Sequence, residues 1–280
     1  MGALPPREAA SEPVAPPVPP PAPTAAPLVS RQDWTNRLWG EGMAIPGGAA
    51  EVLRLAGLLP LVPEATLLLA GGGARAAGGV VSGARGCFVA AFEPGMPEPP
   101  PGARSRTPGR KVEAEPFDAA APAFRPGYHH HALLLEPFRS GGTPDVLLRA
   151  AARGLRQGGQ VVLLDIAACD GGPDSADARW IAAEGRPAAP PAETAISAAL
   201  EGAGFAINVV EDAAPRHRRA VIESWQALIL AMRAQAERPS PQAAATLIAE
   251  AEAWLLRLRL LADGRLRLLR WHASMARRLG

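Results

Sequence analysis

The sequence has little lysine, tyrosine or cysteine and no apolar run long enough to cross a membrane. Lys111 is the only lysine among 29 lysines and arginines, and a net charge of +2 argues against a dedicated nucleic-acid-binding protein. The two cysteines, Cys87 and Cys169, are far apart and make neither a disulfide framework nor a zinc site. The N-terminus shows no signal peptide. These absences predict a soluble, cytoplasmic protein without an integral membrane segment.

Alanine, proline and glycine are present in excess, with 59, 31 and 29 residues. The excess of alanine, and of arginine over lysine, is typical of a GC-rich genome and carries no functional signal. Ten of the prolines lie in residues 1–28, a segment with almost nothing to bury, which predicts a disordered Pro/Ala-rich tail. Residues 29–280 are predicted to form one folded domain.

Short apolar runs recur along this domain and predict seven β-strands. Several are continuous, as is typical of strands buried on both faces of a parallel sheet. The strands are predicted at 65–73, 86–93, 110–118, 131–138, 159–167, 205–211 and 264–273, and helices at 49–58, 143–155, 191–202, 215–236 and 240–262. The fold class is therefore α/β, with a doubly wound, Rossmann-like, mostly parallel seven-stranded sheet and a helical insertion at 215–262 before the last strand.

A glycine-rich turn, LLLAGGGARAAGG, follows the first predicted strand. At this place in a parallel sheet the backbone can approach a nucleotide-like ligand, close to the N-terminus of the next helix. Glu93 ends the second strand 22 residues after Gly71, near the spacing of about 20 at which an acidic side chain meets ribose hydroxyls. The turn and Glu93 are therefore candidates for binding a nucleotide.

The order of the motifs resembles that of class I S-adenosylmethionine-dependent methyltransferases. LLRAAARGLRQGGQVVLLDIA resembles the helix, L-x-x-G-G turn and fifth strand of that family, and RLWGEGMAIPGG resembles the cofactor-covering segment of its phosphoethanolamine and sarcosine/glycine N-methyltransferase branch. The resemblance covers residues 31–275 and implies an antiparallel last strand. It implies S-adenosylmethionine as cofactor, with Gly71 and Gly73 in the first motif, Glu93 at the ribose and Asp118 at the adenine amino group.

The sequence departs from the family pattern at three places. Leu69 stands where the first motif usually has an acidic residue, and Arg75 where it usually has a third glycine. Six prolines between residues 94 and 108 exclude a regular helix where the family has one. The first motif is thus partly degenerate, and a second interpretation remains, namely a non-catalytic binding or scaffold module with the methyltransferase fold.

The sequence does not identify a catalytic residue. Methyl transfer requires an aligned nucleophile and the removal of a proton. Candidates near the fourth strand are Tyr128, His129, His130, His131 and Glu136. Adjacent side chains on a strand alternate between its faces, so the three histidines cannot converge on one ion, and no metal is predicted. His217 and His272 have no partner that the sequence suggests.

The C-terminal segment carries seven arginines against one acidic residue, Asp263. They are Arg257, Arg259, Arg265, Arg267, Arg270, Arg277 and Arg278. They form either a surface for anionic lipid or an acidic substrate or, as the pattern favours, solvated positions on a helix and a final strand.

The predicted function is methyl transfer from S-adenosylmethionine to nitrogen or oxygen of a small-molecule acceptor. A dinucleotide-dependent oxidoreductase is a third interpretation, because a glycine turn and a following acid suit it as well. The incomplete G-x-G-x-x-G order and the later L-x-x-G-G segment argue against it.

Overall fold

The computed structural model describes residues 30–97, 111–169, 175–234 and 239–276. The predicted tail at 1–28, most of the proline-rich segment at 94–108, and Arg277 and Arg278 lie outside these ranges. In the described ranges, no helix is both long and apolar enough to span a bilayer.

Seven strands form one sheet in the order β3-β2-β1-β4-β5-β7-β6. Their bounds are β1 Thr66–Gly71, β2 Phe88–Glu93, β3 Val112–Pro116, β4 His129–Leu135, β5 Leu155–Ala168, β6 Phe205–Asp212 and β7 Leu266–Met275. β1 to β5 pair in parallel, whereas β7 runs antiparallel to both β5 and β6. The seven predicted strands, the mostly parallel sheet and the antiparallel last strand are confirmed.

Eight α-helices accompany the sheet in the described residues. They are α1 Arg31–Trp39, α2 Gly48–Ala56, α3 Ala74–Arg85, α4 Pro144–Gly154, α5 Ser175–Glu184, α6 Glu193–Gly202, α7 Ala214–Ala234 and α8 Pro241–Ala262. α1 begins with a capping box in which Ser30 and Asp33 bind each other's backbone N–H groups. α7 and α8 form the predicted insertion before β7. α5 was not predicted. Among its described side chains, only Trp180 and the charged Glu184 are buried, so its sequence shows no apolar stripe.

Two hydrophobic clusters cover the two faces of the sheet. Leu67 and Leu69 of β1 face the cluster that contains α1, α2, α3, α7 and α8, and Leu68 and Ala70 face the cluster that contains α4 and α6. Each fully buried leucine contributes about 1.5–3 kcal/mol. Because both faces are covered, the central strands read as continuous apolar runs rather than alternating ones.

Candidate functional site

The glycine turn lies at the carboxyl ends of β1 and its parallel neighbours. Gly71 has a φ of 130°, and a Cβ atom on it would lie 1.9 Å from the carbonyl oxygen of Leu135 at the end of β4. Gly73 has a φ of 70° and is the N-cap of α3. The first glycine allows two strands to approach, and the second adopts a left-handed conformation that opens the helix. The predicted turn between β1 and a helix is therefore confirmed.

The segment between α1 and α2 covers this turn. A Cβ atom on Gly73 would lie 2.6 Å from the carbonyl oxygen of Gly42, and one on Gly72 would lie 3.1 Å from the Cβ of Ala44. The two backbones therefore touch without intervening side chains. This arrangement agrees with the covering role that the resemblance implies for RLWGEGMAIPGG.

Glu93 ends β2 beside the glycine turn. Its Oε2 accepts a hydrogen bond of 2.8 Å from the backbone N–H of Arg75, in the first turn of α3. Glu93 is half-buried, whereas Arg75 is exposed. The predicted acidic residue thus lies directly at the N-terminus of the helix that follows the turn, where the helix dipole favours negative charge.

Asp118 lies two residues beyond β3, at the same edge of the sheet. Pro116 of β3 is paired with Glu93 of β2, so both carboxylates follow the ends of adjacent parallel strands. Asp118 is exposed, and its Oδ1 accepts a 2.8 Å hydrogen bond from the backbone N–H of Ala120. The structure therefore brings the glycine turn, Glu93 and Asp118 to one edge of the sheet.

Leu69 occupies the place of the acidic residue of the first motif. Its side chain is fully buried in the hydrophobic cluster beneath α1, α2 and α3. The chain therefore has no polar side chain at this position, and any contact at this end of a ligand must come from the backbone or from other residues.

His130 and His131 lie at the amino ends of the strands, away from the glycine turn. The Nδ1 of His130 accepts a hydrogen bond of 2.9 Å from the backbone N–H of Thr66, the first residue of β1. The Nδ1 of His131 accepts one of 3.2 Å from the backbone N–H of Gln160. β1 rises about 3.3 Å per residue from Thr66 to Gly71, so both rings are well separated from the turn. This placement agrees with histidines that pack or are solvated at the start of a strand, and neither ring belongs to the proposed site.

His129 is excluded for another reason. It is 1% exposed and packs edge-on against the rings of Tyr128 and Phe92. Burial, with a smaller effect of Arg125, lowers the pKa of His129 to about 4. A buried neutral ring of this kind is a core residue rather than a base that meets a substrate.

A buried ionic cluster lies at the carboxyl end of β4. It consists of Glu136, Glu184, Arg186 and Arg257, all at most 6% exposed. Arg257 of α8 donates to Glu136 and, at 3.3 Å, to Glu184, while the Nε of Arg186 donates to Glu184 at 3.0 Å. The cluster joins the sheet edge, the end of α5 and the helical insertion.

Glu136 adopts a left-handed conformation, with a φ of 45° and a ψ of 48°. It is the one non-glycine residue of the described chain with a positive φ. A left-handed conformation costs an ordinary residue roughly 1–2 kcal/mol, so the surrounding contacts must hold it in place. The strand that was predicted at 131–138 therefore ends at Leu135, and Glu136 leads into a short 3-10 helix, Pro137–Ser140.

The carboxylates of the buried ionic cluster are ionised. Burial alone would raise the pKa of Glu136 and of Glu184, but the guanidinium groups of Arg257, Arg139 and Arg186 bring both pKa values below their ordinary range. The same carboxylates raise the pKa of Arg257 against the opposing effect of burial. Glu136 is therefore a paired carboxylate rather than the free base that its position in the sequence suggested.

Two titratable groups adjoin the buried ionic cluster. Asp165 of β5 is fully buried and accepts hydrogen bonds from the backbone N–H groups of Phe138 at 2.9 Å and Ile166 at 2.7 Å. Burial raises the pKa of Asp165 to about 7, although Arg186 opposes the shift. Asp165 was not predicted from the sequence, although an acid inside the apolar run VVLLDIAA is a local sign of a buried carboxyl group.

His217, in the first turn of α7, is the second such group. Burial, reinforced by Arg257, lowers its pKa to about 3, so the ring is neutral at pH 7. It lines a small cleft together with Ile45, Glu51 and Arg216. This cleft separates the covering segment from the start of α7, level with the carboxyl end of β4.

Five of the seven C-terminal arginines lie in the described residues, and all five are paired with acids. Outside the buried ionic cluster, the described pairs are Arg259 with Asp263, Arg265 with Asp177, Arg267 with Glu193 and Arg270 with Glu211. The charge that looked unbalanced along the sequence is therefore balanced in space, and these arginines do not form the anionic-ligand surface considered above.

Comparison with known proteins identifies the fold. The sequence matches no protein-family model, and no curated protein matches it. The solved structure of phosphoethanolamine N-methyltransferase 2 from Haemonchus contortus, bound to phosphomonomethylethanolamine and S-adenosylhomocysteine, is 18% identical, with a TM-score of 0.67 over 90% of this chain. This chain spans 62% of the length of that enzyme.

Two smaller methyltransferase structures are also similar. A putative sarcosine dimethylglycine methyltransferase from Galdieria sulphuraria is 12% identical, with a TM-score of 0.58 over 81% of this chain and 84% of its own. Geranyl diphosphate C-methyltransferase from Streptomyces coelicolor is 14% identical, with a TM-score of 0.57 over 81% and 77%. The chain therefore has the class I methyltransferase fold, whose antiparallel β7 is unlike the all-parallel order of a dinucleotide-binding sheet.

Proposed function

We propose that this protein transfers a methyl group from S-adenosylmethionine to nitrogen or oxygen of a small molecule. The observation that carries the proposal is the position of Glu93, whose carboxylate lies 2.8 Å from the Arg75 N–H at the start of α3. It puts an acidic side chain on the strand next to the glycine turn, where the hydroxyls of a ribose can be bound. The fold shared with three methyltransferases supports the same function.

The cofactor would be held by the edge formed by β1, β2 and β3. The turn at Gly71–Gly73 presents backbone without side chains, Glu93 accepts hydrogen bonds from the ribose, and Asp118 accepts one from the adenine amino group. S-adenosylmethionine supplies an already activated methyl group. The protein therefore needs to orient the two reactants rather than to provide a strong acid or base.

The acceptor would bind beside the cleft between the covering segment and α7, because the cleft itself has room for only about one water molecule. His217 is neutral there, because burial keeps its pKa near 3, and it can accept a hydrogen bond from an N–H or O–H group. Such a weak base removes a proton poorly. An amine acceptor is an ammonium ion at neutral pH, so its proton must pass to solvent before the nitrogen lone pair attacks the methyl carbon. Amines assayed at about pH 9 are therefore the first compounds to test.

A non-catalytic binding module is the second candidate. It is favoured by the pairing of Glu136 with Arg257, which occupies the carboxylate at the end of β4, and by the apolar Leu69 in the first motif. Under this function the glycine edge binds a nucleotide-like ligand, or none, and no methyl group is transferred.

The test is methyl transfer by the purified full-length chain. We expect S-adenosylmethionine with a deuterated methyl group, incubated with phosphoethanolamine, phosphomonomethylethanolamine or sarcosine, to yield S-adenosylhomocysteine and a product heavier by the labelled methyl group in mass spectrometry. His217→Gln should lower turnover without weakening cofactor binding. Cofactor binding with no labelled product from any of the three amines would support the binding module instead. We place the reaction in the cytoplasm, with no nucleic acid as a partner.

A further inference from the structure

Exposed apolar side chains are concentrated on one part of the molecule. Nine large apolar residues are exposed in the described chain, and seven of them lie between Val209 and Leu255. Five of these belong to the two helices of the insertion: Ile222, Ile229, Leu230, Ile248 and Leu255. Leu230, Ile248 and Leu255 are 64–68% exposed, which is unusual for three such residues on neighbouring helices.

The exposed residues of each helix share one face. On α7, Ile222 and Ile229 are seven residues apart and so lie on one side of the helix, about 100° around its axis from the buried Val221 and Leu228. The same spacing joins Ile248 and Leu255 on α8, on the side opposite the buried Arg257. We call these two surfaces together the α7–α8 outer face.

Both helices lie in the layer that covers the same face of the sheet. Val221, Leu228, Trp254 and Leu260 belong to one hydrophobic cluster, and α7 and α8 contact each other as well as α1. Their exposed surfaces therefore both lie on the side of this layer that faces away from the sheet.

The charge of the α7–α8 outer face is positive. Three exposed arginines of α7, Arg218, Arg219 and Arg233, lie among its exposed apolar residues, against the exposed Glu223. The ion pairs of α7 in the described chain involve Arg216 instead. On α8, the exposed Glu252 is already paired with Arg179. The α7 part of this face thus combines apolar and basic side chains, and the described α8 part adds the apolar Ile248 and Leu255.

We propose that the α7–α8 outer face binds the surface of an anionic phospholipid bilayer. Exposed isoleucine and leucine enter the boundary between headgroups and acyl chains, and the neighbouring arginines bind lipid phosphates. This site is independent of the proposed methyl transfer, because it lies on the outward side of both helices.

The charge pattern favours a bilayer over two other partners. A symmetric dimer through this face would bury Arg218, Arg219 and Arg233 of both copies against only the Glu223 carboxylate of each copy, which leaves an excess of positive charge in the interface. A nucleic acid would pair with the arginines but offers no apolar layer to cover Leu230, Ile248 and Leu255. An anionic bilayer satisfies both the apolar and the basic side chains.

Vesicle co-sedimentation of the full-length chain tests the proposal. We expect the protein to sediment with vesicles of equimolar phosphatidylcholine and phosphatidylglycerol several-fold more than with phosphatidylcholine alone, and less at high salt. The double variant Ile229→Ser, Leu230→Ser should lose at least half of this binding, as should Arg218→Gln, Arg219→Gln. Val146→Ser, an exposed apolar residue of α4 on the opposite layer, should bind like the wild type.

Three results would overturn the proposal. The first is no sedimentation with anionic vesicles by a chain that is folded by circular dichroism. The second is binding that neither double variant weakens, which would place the contact elsewhere. The third is a dimer in analytical ultracentrifugation that Ile229→Ser, Leu230→Ser dissociates, which would assign the face to a second copy.

Discussion

Two regions at the carboxyl ends of the parallel strands differ in the surroundings of their polar side chains. One end of this row is formed by β1, β2 and β3, and the other by β4. Around β1, β2 and β3, the glycine turn packs against the backbone of Gly42 and Ala44, and the half-buried Glu93 and the exposed Asp118 each accept a backbone hydrogen bond. At the end of β4, Glu136 is buried and bound by Arg257 of α8. The carboxylates of the first end are therefore at least partly open to solvent, whereas Glu136 is enclosed with its ion-pair partners.

The difference arises from the contacts that other elements make at the end of β4. α8 supplies Arg257 and α5 supplies Glu184, so the charged end of β4 lies in the interior. Among the described residues of α7 and α8, none forms an ion pair with Glu93 or Asp118. The proposed cofactor site and the buried ionic cluster therefore depend on different residues and can be altered separately.

The largest effect is expected at the buried ionic cluster. Arg257→Ala removes the guanidinium that faces Glu136 and Glu184 and leaves two buried carboxylates uncompensated, which should cost about 3–5 kcal/mol of unfolding free energy. Arg259→Ala, two residues along α8, removes an exposed pair with Asp263 and should change stability by less than about 0.5 kcal/mol. Urea unfolding measures both, and equal losses would show that the cluster does not hold α8 to the sheet.

Acid pH should weaken the same end of the molecule. The pKa of His217 is about 3 in the folded chain, below its ordinary value of about 6.5, so the unfolded chain binds a proton first as the pH falls. The stability that neutral His217 contributes is therefore full above about pH 6.5 and is lost toward lower pH, by about 2 kcal/mol at pH 5.

Urea unfolding at pH 7.5 and pH 5 checks this expectation. Between these two pH values, the free energy of unfolding of His217→Gln should fall by about 2 kcal/mol less than that of the wild type. The control is His272→Gln, at a half-buried position of β7, whose free energy of unfolding should fall by more than that of His217→Gln. Identical pH dependence in wild type and His217→Gln would contradict the assignment of a buried neutral ring.

At the glycine edge, the expected effect is on binding rather than on folding. Glu93→Ala removes the proposed ribose acceptor and should weaken S-adenosylhomocysteine about tenfold, or about 1.4 kcal/mol. The rise in melting temperature on adding this ligand should shrink accordingly. Glu115→Ala, an exposed acid of β3, should keep the full rise. A loss of the rise in both variants would remove the specific role of Glu93.

The smallest effect is expected at Asp118. This residue is exposed and its proposed contact is a single hydrogen bond to the adenine amino group, so Asp118→Asn should weaken S-adenosylhomocysteine by less than about tenfold. An amide still offers one acceptor oxygen, whereas Asp118→Ala offers none and should bind more weakly than the amide variant. Equal affinities of both variants and the wild type would place the adenine elsewhere.

The sequence predicted the glycine edge because its determinants are local. The chain carries continuous apolar runs, a glycine cluster after β1 and an acid at the end of β2. Their order along the sequence is enough to predict where these residues lie in the sheet. Their meeting at one edge then follows from parallel pairing alone. The positive φ values of Gly71 and Gly73 explain why glycines are needed there.

The buried ionic cluster could not be predicted in the same way. Glu136 and Arg257 are 121 residues apart, and each stands among residues that give no sign of the partner. The acidic partners of the C-terminal arginines could not be predicted for the same reason, since Arg267 and Arg270 pair with acids on other elements. The buried Asp165 within an apolar strand was the one local sign of a polar interior at this end.

The most direct test of the central claim is an isothermal titration of the full-length chain with S-adenosylhomocysteine. A glycine edge that binds the cofactor predicts saturable heat with one site per chain, and S-adenosylmethionine should compete for that site. Absence of heat at millimolar ligand, from a chain that unfolds cooperatively in urea, would contradict cofactor binding and with it the proposed methyl transfer.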